Sequence, residues 1–188
     1  MPTGHYTHVR QTYRLPIRVI GPSIAYVPLT KNRFAVIDAE DIDRVGVYNW
    51  YTVQAKPNAY AANKNAEGAP ILLHRFLLKT DLQIDHIDGN GLHNWKGNLR
   101  PSTQQQNLWN QRINSRNTSG FKGVCRNGKN WRAAIWLNRK RMHLGTFLTR
   151  EEAHAAYCEA AKQLFGEFAN DGVITLRPQS PGESPQVD

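Results

Sequence analysis

The chain contains 188 residues, enough for one medium domain or two small ones, and it carries a formal net charge of +9. It has no apolar run near the roughly 20 residues of a membrane span. Its two cysteines, Cys125 and Cys158, form neither a CxxC pair nor a disulfide framework. Composition therefore argues against a membrane protein, a secreted disulfide scaffold and a zinc knuckle, and it predicts a soluble, cytoplasmic protein.

The charge is concentrated in one part of the chain. Between Gly89 and Arg150 there is no Asp or Glu, while twelve residues are Lys or Arg. A surface so rich in one sign repels itself unless a polyanion relieves the repulsion, so nucleic acid is the expected partner. The alternative is a solvated basic face with no partner.

The N-terminal third predicts a small α+β layer. Residues 1–25 have weak periodicity and are expected to form a loose arm. The following segments predict a strand at 33–38, a short helix at 39–50 and a hairpin at 50–64. The apolar run PILLHRFLL (70–78) is compatible with a helix or a strand.

The next segment combines two strand patterns with a helix start. LQIDHID (82–88) and NLRP (98–101) read as strands around a glycine-rich loop, and STQQQNLWNQR (102–112) reads as a helix. Thr103 and Gln106 have the spacing of a capping box at the start of that helix. Such a unit can bring side chains from the first strand and the helix together.

Three of those side chains have the chemistry of a hydrolytic metal site. A carboxylate at Asp85 and an amide oxygen at Asn107 are hard ligands suited to a divalent cation such as Mg²⁺. The adjacent imidazole of His86 can accept a proton from an attacking water. An EF-hand is excluded, because Ile87 and Lys96 occupy positions that require oxygen ligands.

The segment resembles the HNH endonuclease motif, the ββα-metal unit of homing and phage nucleases. The resemblance implies that Asp85 binds the metal, His86 is the general base, Asn98 orients the loop and Asn107 is the second metal ligand. It further implies Mg²⁺, or alternatively Mn²⁺, as the cofactor, in the cytoplasm of a bacterial or phage-infected cell. No structural zinc is expected, because the cysteine pairs that hold it are absent.

Several neighbouring residues keep alternative interpretations. Arg100 can hold the scissile phosphate by charge-assisted hydrogen bonds. Asn110 and Gln111, one helical turn after Asn107, can share the ligand role. His74 can contact substrate or pack as a structural residue.

A second pattern begins after the polar segment 113–119, which is expected to be a linker. FKGVCR, NWRAAIWLN and KRMHLGTF predict three strands. TREEAHAAYCEAAKQLFG predicts a helix with Thr149 and Glu152 as a capping box and Gly166 at its end. Residues 171–188 are rich in Pro and Ser and are expected to be disordered.

The segment 120–170 resembles the plant ethylene-response-factor (APETALA-type) DNA-binding domain through its GV, WxAxI and LGTFxTxEEAxxAYxxAAxxxFGE signatures. That resemblance implies a three-stranded sheet that enters the major groove of double-stranded DNA, with a helix packed behind it. Cys125, Ala134 and Trp136 stand where the plant domains carry base-reading residues, so base preference is not carried over.

Strand alternation predicts the two faces of this sheet. Trp131, Ala133, Ile135 and Leu137 are expected to face the helix, together with Met142 and Leu144, while Ala134 is expected on the outer face. The residues expected to contact DNA are Lys122, Arg126, Arg132, Trp136, Arg139, Lys140, Arg141 and His143. Trp136 can alternatively cover a sheet edge, and Arg139 and Lys140 can be ordinary solvated turn residues.

The sequence thus predicts an α+β, metal-dependent DNA endonuclease that acts as a monomer and nicks DNA. The predicted parts are a nuclease domain at 26–112, the linker and a DNA-binding domain at 120–170, so removal of the second domain is expected to leave weak cutting. The alternatives are a non-catalytic DNA-binding regulator with a vestigial HNH unit and an RNA-binding structural protein. The sheet face lacks the closely spaced aromatic residues that RNA binding favours.

Overall fold

A computed structural model describes residues 16–20, 23–55 and 58–172. The predicted tail lies outside the described residues except for its first two positions, and most of the predicted arm also lies outside them. In the described part, the fold is mixed α+β with four small antiparallel sheets and short helices. No helix of that part is long and apolar enough to cross a membrane.

The described chain divides into two compact units. The first contains the described residues up to Lys79 together with Gly91–Gly97, and the second contains Thr80–Asn90 and the described residues from Asn98 onward. The division therefore falls within the loop that joins the two predicted strands of the HNH-like segment. The segment 113–119 lies inside the second unit.

The first unit consists of two three-stranded antiparallel sheets and two short helices. The sheets are β1–β2–β3 and β4–β5–β6 in spatial order. The elements are β1 (Arg18–Ile20), β2 (Ile24–Pro28), β3 (Phe34–Asp38), α1 (Ile42–Gly46), β4 (Tyr51–Ala55), β5 (Asn58–Lys64), β6 (Pro70–Leu72) and α2 (Leu73–Leu77). The predicted strand at 33–38 and the hairpin at 50–64 are confirmed, and the apolar run at 70–78 is a short strand followed by a helix.

Apolar side chains from both sheets and both helices hold this unit together. Ile37, Val45 and Leu73 are fully buried. His74 in α2 is also buried, and its ring lies edge-on to Tyr60 with 5.7 Å between the ring centroids. This packed position favours the structural interpretation of His74.

The second unit begins with a two-stranded sheet and continues with a three-stranded sheet of order β11–β10–β9. The elements are β7 (Gln83–His86), β8 (Leu99–Ser102), α3 (Gln104–Trp109), β9 (Val124–Asn127), β10 (Asn130–Leu137), β11 (Lys140–Phe147) and α4 (Arg150–Phe165). Both predicted capping boxes are present, at Thr103 with Gln106 and at Thr149 with Glu152. The first strand of the larger sheet begins at Val124, three residues later than the sequence pattern begins.

The larger sheet packs on α4 through two apolar clusters. Ile135 packs with Tyr157, Ala161 and Phe165, and Ala133 packs with Val124 and Ala153. Trp131, Leu137 and Leu144 border these clusters. The predicted helix-facing side of β10 is therefore confirmed.

Two residues of this sheet lie on the predicted face but differ in exposure from what that face suggests. Ala134 is opposite His143 in the register of β10 and β11, on the predicted outer face, yet it is 6% exposed. Met142 is opposite Ile135, on the predicted helix-facing side, yet it is 41% exposed. The pairing of β10 with β11 shifts register between Ala133 and Ala134.

The segment between α3 and β9 is anchored rather than free. Ser119 is 1% exposed, and its hydroxyl donates to the carbonyl of Val124 at 2.9 Å. On either side of this segment, the rings of Trp109 and Phe165 stack with 4.4 Å between centroids and 12° between planes. The β7–β8–α3 segment therefore packs directly on the sheet-and-helix part of the same unit.

Candidate active site

The pairing of β7 with β8 places Asp85 beside Arg100. The two residues are opposite each other in the antiparallel register of β7 and β8. Arg100 donates from Nε and Nη2 to the Asp85 Oδ2 atom at 2.9 and 2.8 Å. The side chains are 4% and 12% exposed, so a buried carboxylate is neutralised by a nearly buried guanidinium.

A second partner reaches Asp85 from the end of α3. Asn110, the C-cap residue of that helix, is 4% exposed. Its Nδ2 atom lies 3.0 Å from each oxygen of the Asp85 carboxylate and 2.8 Å from the carbonyl oxygen of His86. Strand and helix are thus joined by polar contacts at this carboxylate.

Asn98 fixes the turn that follows the first strand. It is completely buried, and its Oδ1 accepts the N–H of Asp88 at 3.1 Å while its Nδ2 donates to Asp88 Oδ1 at 3.0 Å. The same Asp88 oxygen accepts the N–H of Asn90 at 2.9 Å, which closes an Asx turn. These contacts join Asn98 to the turn at residues 88–90.

His86 lies at the end of β7. It is 6% exposed, so little of the residue contacts bulk solvent. In the strand register His86 is opposite Leu99, whereas Asp85 is opposite Arg100, so the two adjacent side chains start from opposite faces of the sheet. The main-chain carbonyl of His86 accepts the N–H of Gly89 at 2.7 Å.

Asn107 lies one turn before Asn110 on the same side of α3. Among the described residues, its side chain donates to Gln83 Oε1 at 3.4 Å, and the residue brought to the Asp85 carboxylate is Asn110. Gln83 and Asp85 are two positions apart on β7, which matches the one-turn separation of the two asparagines. The one-turn spacing of Asn107 and Asn110, from which the sequence predicted that Asn110 can share the ligand role, places both residues on one side of α3.

Residues after α4 complete the surroundings of Arg100. The Nη1 atom of Arg100 donates to the Glu167 carbonyl at 2.6 Å, and the guanidinium lies 3.8 Å from the centre of the Phe168 ring. Sequence reasoning did not identify these contacts, because they join positions 67 residues apart.

The oxygen atoms at and beside Asp85 are ligands of the kind that a hard divalent cation prefers. The Asp85 carboxylate and the carbonyls of His86 and Ile87 all lie within 3.3 Å of the Asn110 Nδ2 atom, so four oxygens surround one amide nitrogen. Oxygen-only sets of this kind are preferred by Mg²⁺ and Mn²⁺. Asp85 Oδ1 accepts from Asn110 alone among its described partners, so it has a remaining lone pair.

The first unit contains a separate acidic group. Asp38, Glu40 and Asp41 have oxygens close enough to share a cation. The ammonium of Lys96 already pairs with Glu40 and lies 3.9 Å from Asp41 Oδ2, and the N–H of Lys96 donates to Asp38. Lys96 and Arg44 thus pair with Glu40 and Asp41, while the buried Oδ2 atom of Asp41 accepts no hydrogen bond from any described residue.

The predicted DNA-contacting residues of the larger sheet are mostly exposed. Trp136 is 61% exposed and pairs with Arg141 in the register of β10 and β11. Arg132 is half-buried and donates to Asn127 Oδ1 at 2.9 Å. The exposed members of the set are Arg126, Trp136, Arg139, Lys140, Arg141 and His143.

Lys122 differs from the rest of that set. It precedes β9, and its Nζ atom donates to the carbonyls of Trp109 and Gln111, both at 2.7 Å. Burial lowers the pKa of Lys122 to about 8. The ammonium holds the end of α3, where helix carbonyls attract a cation, and so it is not free on the sheet face.

Comparison with known proteins identifies the class. No family model and no solved structure matches the chain. It is 32% identical over 159 residues to the uncharacterized HNH endonuclease L560 of Acanthamoeba polyphaga mimivirus, covering 78% of this chain and 80% of that protein. It is 34% identical over 90 residues to Protein 3.8 of Escherichia phage T7, covering 46% of this chain and 72% of that protein.

The extent of the first similarity shows the family of the chain. The chain belongs to the HNH endonuclease family.

Proposed function

We propose that the protein is a divalent-metal-dependent endonuclease of the homing or phage type that nicks double-stranded DNA as a monomer. Membership of the HNH endonuclease family supports the reaction. The net charge of +9 and the acid-free stretch from Gly89 to Arg150 support DNA as the substrate. Mg²⁺ is the proposed metal, with Mn²⁺ as an active substitute.

The observation that carries the proposal is the environment of Asp85. A carboxylate that is 4% exposed loses its hydration, and here it is held by Arg100 and Asn110 from two different elements. Such a polar arrangement contributes little net stability compared with apolar packing, so its presence favours a chemical role. The alternative, a vestigial HNH unit on a DNA-binding regulator, provides no reason for this arrangement.

In the proposed reaction, His86 accepts the proton of the attacking water. Because His86 is nearly buried, the attacking water must be held beside the bound DNA strand and does not come directly from bulk solvent. Asn98 holds the Asp88–Asn90 turn and thereby the end of the strand that carries His86.

Arg100 provides the positive charge nearest to Asp85 and is the proposed phosphate ligand. Its guanidinium can exchange the Asp85 oxygen for a phosphate oxygen, which accepts the same pair of N–H donors. Asp85 and Asn107 are the proposed metal ligands, and a rotation of the Asn107 amide away from Gln83 frees it for that role. When bound, the cation stabilises negative charge on the phosphate.

The larger sheet is the proposed DNA-docking surface, in the manner of the ethylene-response-factor domains that it resembles. Arg141 and His143 are exposed on its outer face, and Trp136 can contact a thymine methyl. Arg126 is exposed but lies opposite the helix-facing Trp131, with its guanidinium 4.8 Å from the centre of that ring, so it can contact DNA only from the edge of the sheet. Arg132, Arg139 and Lys140 complete the proposed set. Lys122 is left out, because its ammonium is used within the protein.

A plasmid assay with two variants tests the function. Wild-type protein is expected to nick supercoiled plasmid in Mg²⁺ or Mn²⁺ and to lose activity in EDTA. His86→Ala is expected to lose nicking and to bind DNA as tightly as wild type. Arg141→Ala is expected to bind more weakly, with a slope of log affinity against log salt reduced by about 1, and to nick when DNA is saturating.

The outcomes separate nuclease from regulator. Wild-type protein that binds DNA but cuts no sequence with any divalent metal supports the regulator. Nicking by His86→Ala at the wild-type rate removes that residue from the mechanism. Lys162→Ala, a charge removal at an exposed position of α4, is the matched control for Arg141→Ala.

A further inference from the structure

Two asparagines link the end of the chain's described part to the candidate active site. The N–H of Gly172 donates to Asn170 Oδ1 at 2.8 Å. The Nδ2 atom of Asn170 donates to the main-chain carbonyl and to the side-chain Oδ1 of Asn110, both at 3.0 Å. Asn110 in turn donates to Asp85, as described above.

The direction of this chain of hydrogen bonds is fixed by the backbone. A main-chain N–H can only donate and a main-chain carbonyl can only accept, so Asn170 has its oxygen toward Gly172 and its NH₂ toward Asn110. The oxygen of Asn110 must then face Asn170, and its NH₂ must face Asp85. The orientation follows from hydrogen-bond chemistry and not only from the assignment of amide atoms.

This direction assigns a role to Asn110. Its amide oxygen is engaged by Asn170, whereas its NH₂ is directed to four oxygens, including both of Asp85. Asn110 therefore acts on the carboxylate as a hydrogen-bond donor. Of the two asparagines on this side of α3, Asn107 is the one whose oxygen is available to a cation.

We propose that Asn170 is a positioning residue for cleavage, which acts through Asn110 to orient the Asp85 carboxylate. The inference rests on the proposed function, because orientation of Asp85 matters only if that carboxylate binds the metal. The same segment holds Arg100 through the Glu167 carbonyl and the Phe168 ring. The residues that follow α4, within the DNA-binding resemblance and just beyond it, are thus part of the cleavage site.

The expected size of the effect follows from other metal sites. Hydrogen-bond partners of metal ligands fix the orientation of those ligands, and their loss typically reduces metal affinity or activity by about 10–100-fold. Asn170 does not touch the proposed reacting atoms, so DNA binding should not change. Its contribution should appear in the rate for bound DNA and in metal affinity.

Two substitutions at one position distinguish positioning from simple structural support. Asn170→Ala removes all of the contacts. Asn170→Asp keeps the oxygen that accepts from Gly172 but replaces the NH₂ that donates to Asn110. A residue that only anchors the end of the chain is restored by Asp, whereas a residue that orients Asn110 is not. Gln163→Glu, at an exposed position of α4, is the matched amide-to-acid control.

Three measurements are made on each full-length protein. These are the single-turnover nicking rate with saturating DNA, the affinity for Mn²⁺ measured by electron paramagnetic resonance without DNA, and the DNA affinity in EDTA. Both Asn170 variants are expected to lose nicking rate and Mn²⁺ affinity by about 10–100-fold, with unchanged DNA affinity, and the control is expected to match wild type.

Asn170→Asp with wild-type nicking and wild-type Mn²⁺ affinity overturns the inference and leaves the proposed function intact. The same holds if both variants lose activity only in proportion to a loss of folded protein, followed by circular dichroism. Wild-type protein that neither binds Mn²⁺ nor nicks DNA overturns the proposed function and this inference together.

Discussion

The two parts of the second unit differ in what holds them together. The sheet-and-helix part consists of β9–β11 and α4. It contains two eight-residue strands and a sixteen-residue helix, and Ile135, Tyr157 and Phe165 are buried between the sheet and the helix. The β7–β8–α3 segment has four-residue strands, and α3, every residue of which is described, contains no fully buried residue. Its buried side chains include Asp85, His86, Asn98, Ser102 and Asn110.

This difference separates stability from chemistry within one unit. Burial of apolar surface gives the sheet-and-helix part a stable core, and the stacking of Trp109 on Phe165 transmits that stability to α3. The polar segment can then retain buried charges that contribute little to folding. Removal of the sheet-and-helix part is therefore expected to unfold the β7–β8–α3 segment, which revises the expectation of weak residual cutting drawn from the sequence.

The largest effect is expected at the apolar junction. Phe165→Ala removes a ring that packs on Tyr157 and stacks on Trp109, and such core truncations cost about 3–5 kcal/mol. If the sheet-and-helix part supports the polar segment, both should unfold in a single transition at lower urea. Circular dichroism and tryptophan fluorescence measure that transition.

Phe165→Leu is the control for this prediction, because a substitution that keeps most of the apolar volume usually costs less than about 1.5 kcal/mol. Two separate transitions within the second unit of Phe165→Ala would instead mean that its two parts fold independently.

A smaller effect is expected in the polar segment. Arg100→Met leaves the buried Asp85 carboxylate without its cation, which should lower the free energy of unfolding by about 2–3 kcal/mol. Adding Asp85→Asn removes the unpaired charge, so the double variant should regain most of that loss. Urea unfolding measures the stability, and neither variant should nick DNA.

A double variant no more stable than Arg100→Met alone would show that the lost stability comes from packing of the arginine on Phe168 rather than from the charge. The double substitution thus distinguishes the polar segment from the apolar core, where a second truncation cannot restore stability.

Local features of this chain were predictable from the sequence. The capping boxes at Thr103 and Thr149 depend on residues three positions away, and the helix-facing side of β10 follows from strand alternation. The strand pair that brings Asp85 to Arg100 was also predicted, from two strand patterns on either side of a glycine-rich loop.

Contacts between distant segments were not predictable in the same way. Asn170 is 60 residues from Asn110, and no periodicity or turn pattern relates the two positions. Lys122 was expected on the DNA face because of its charge, yet its position before β9 directs the ammonium to the end of α3. Tertiary packing, which a single sequence does not display, decides both cases.

Lys122 lies where the two parts meet, and its predicted effect is the smallest within any one pH unit. Burial lowers its pKa from 10.5 to about 8, so between those values the unfolded chain binds more protons than the folded protein. The free energy of unfolding must then rise with pH from about 8 toward 10.5, by about 1 kcal/mol per pH unit.

Lys122→Met cannot show this contribution, and groups common to both proteins cancel in the difference. Urea unfolding of the two proteins at several pH values is expected to give a difference that increasingly favours wild type above pH 8. Parallel curves would mean that the ammonium is hydrated, and that the end of α3 is held by the Trp109 stack rather than by Lys122.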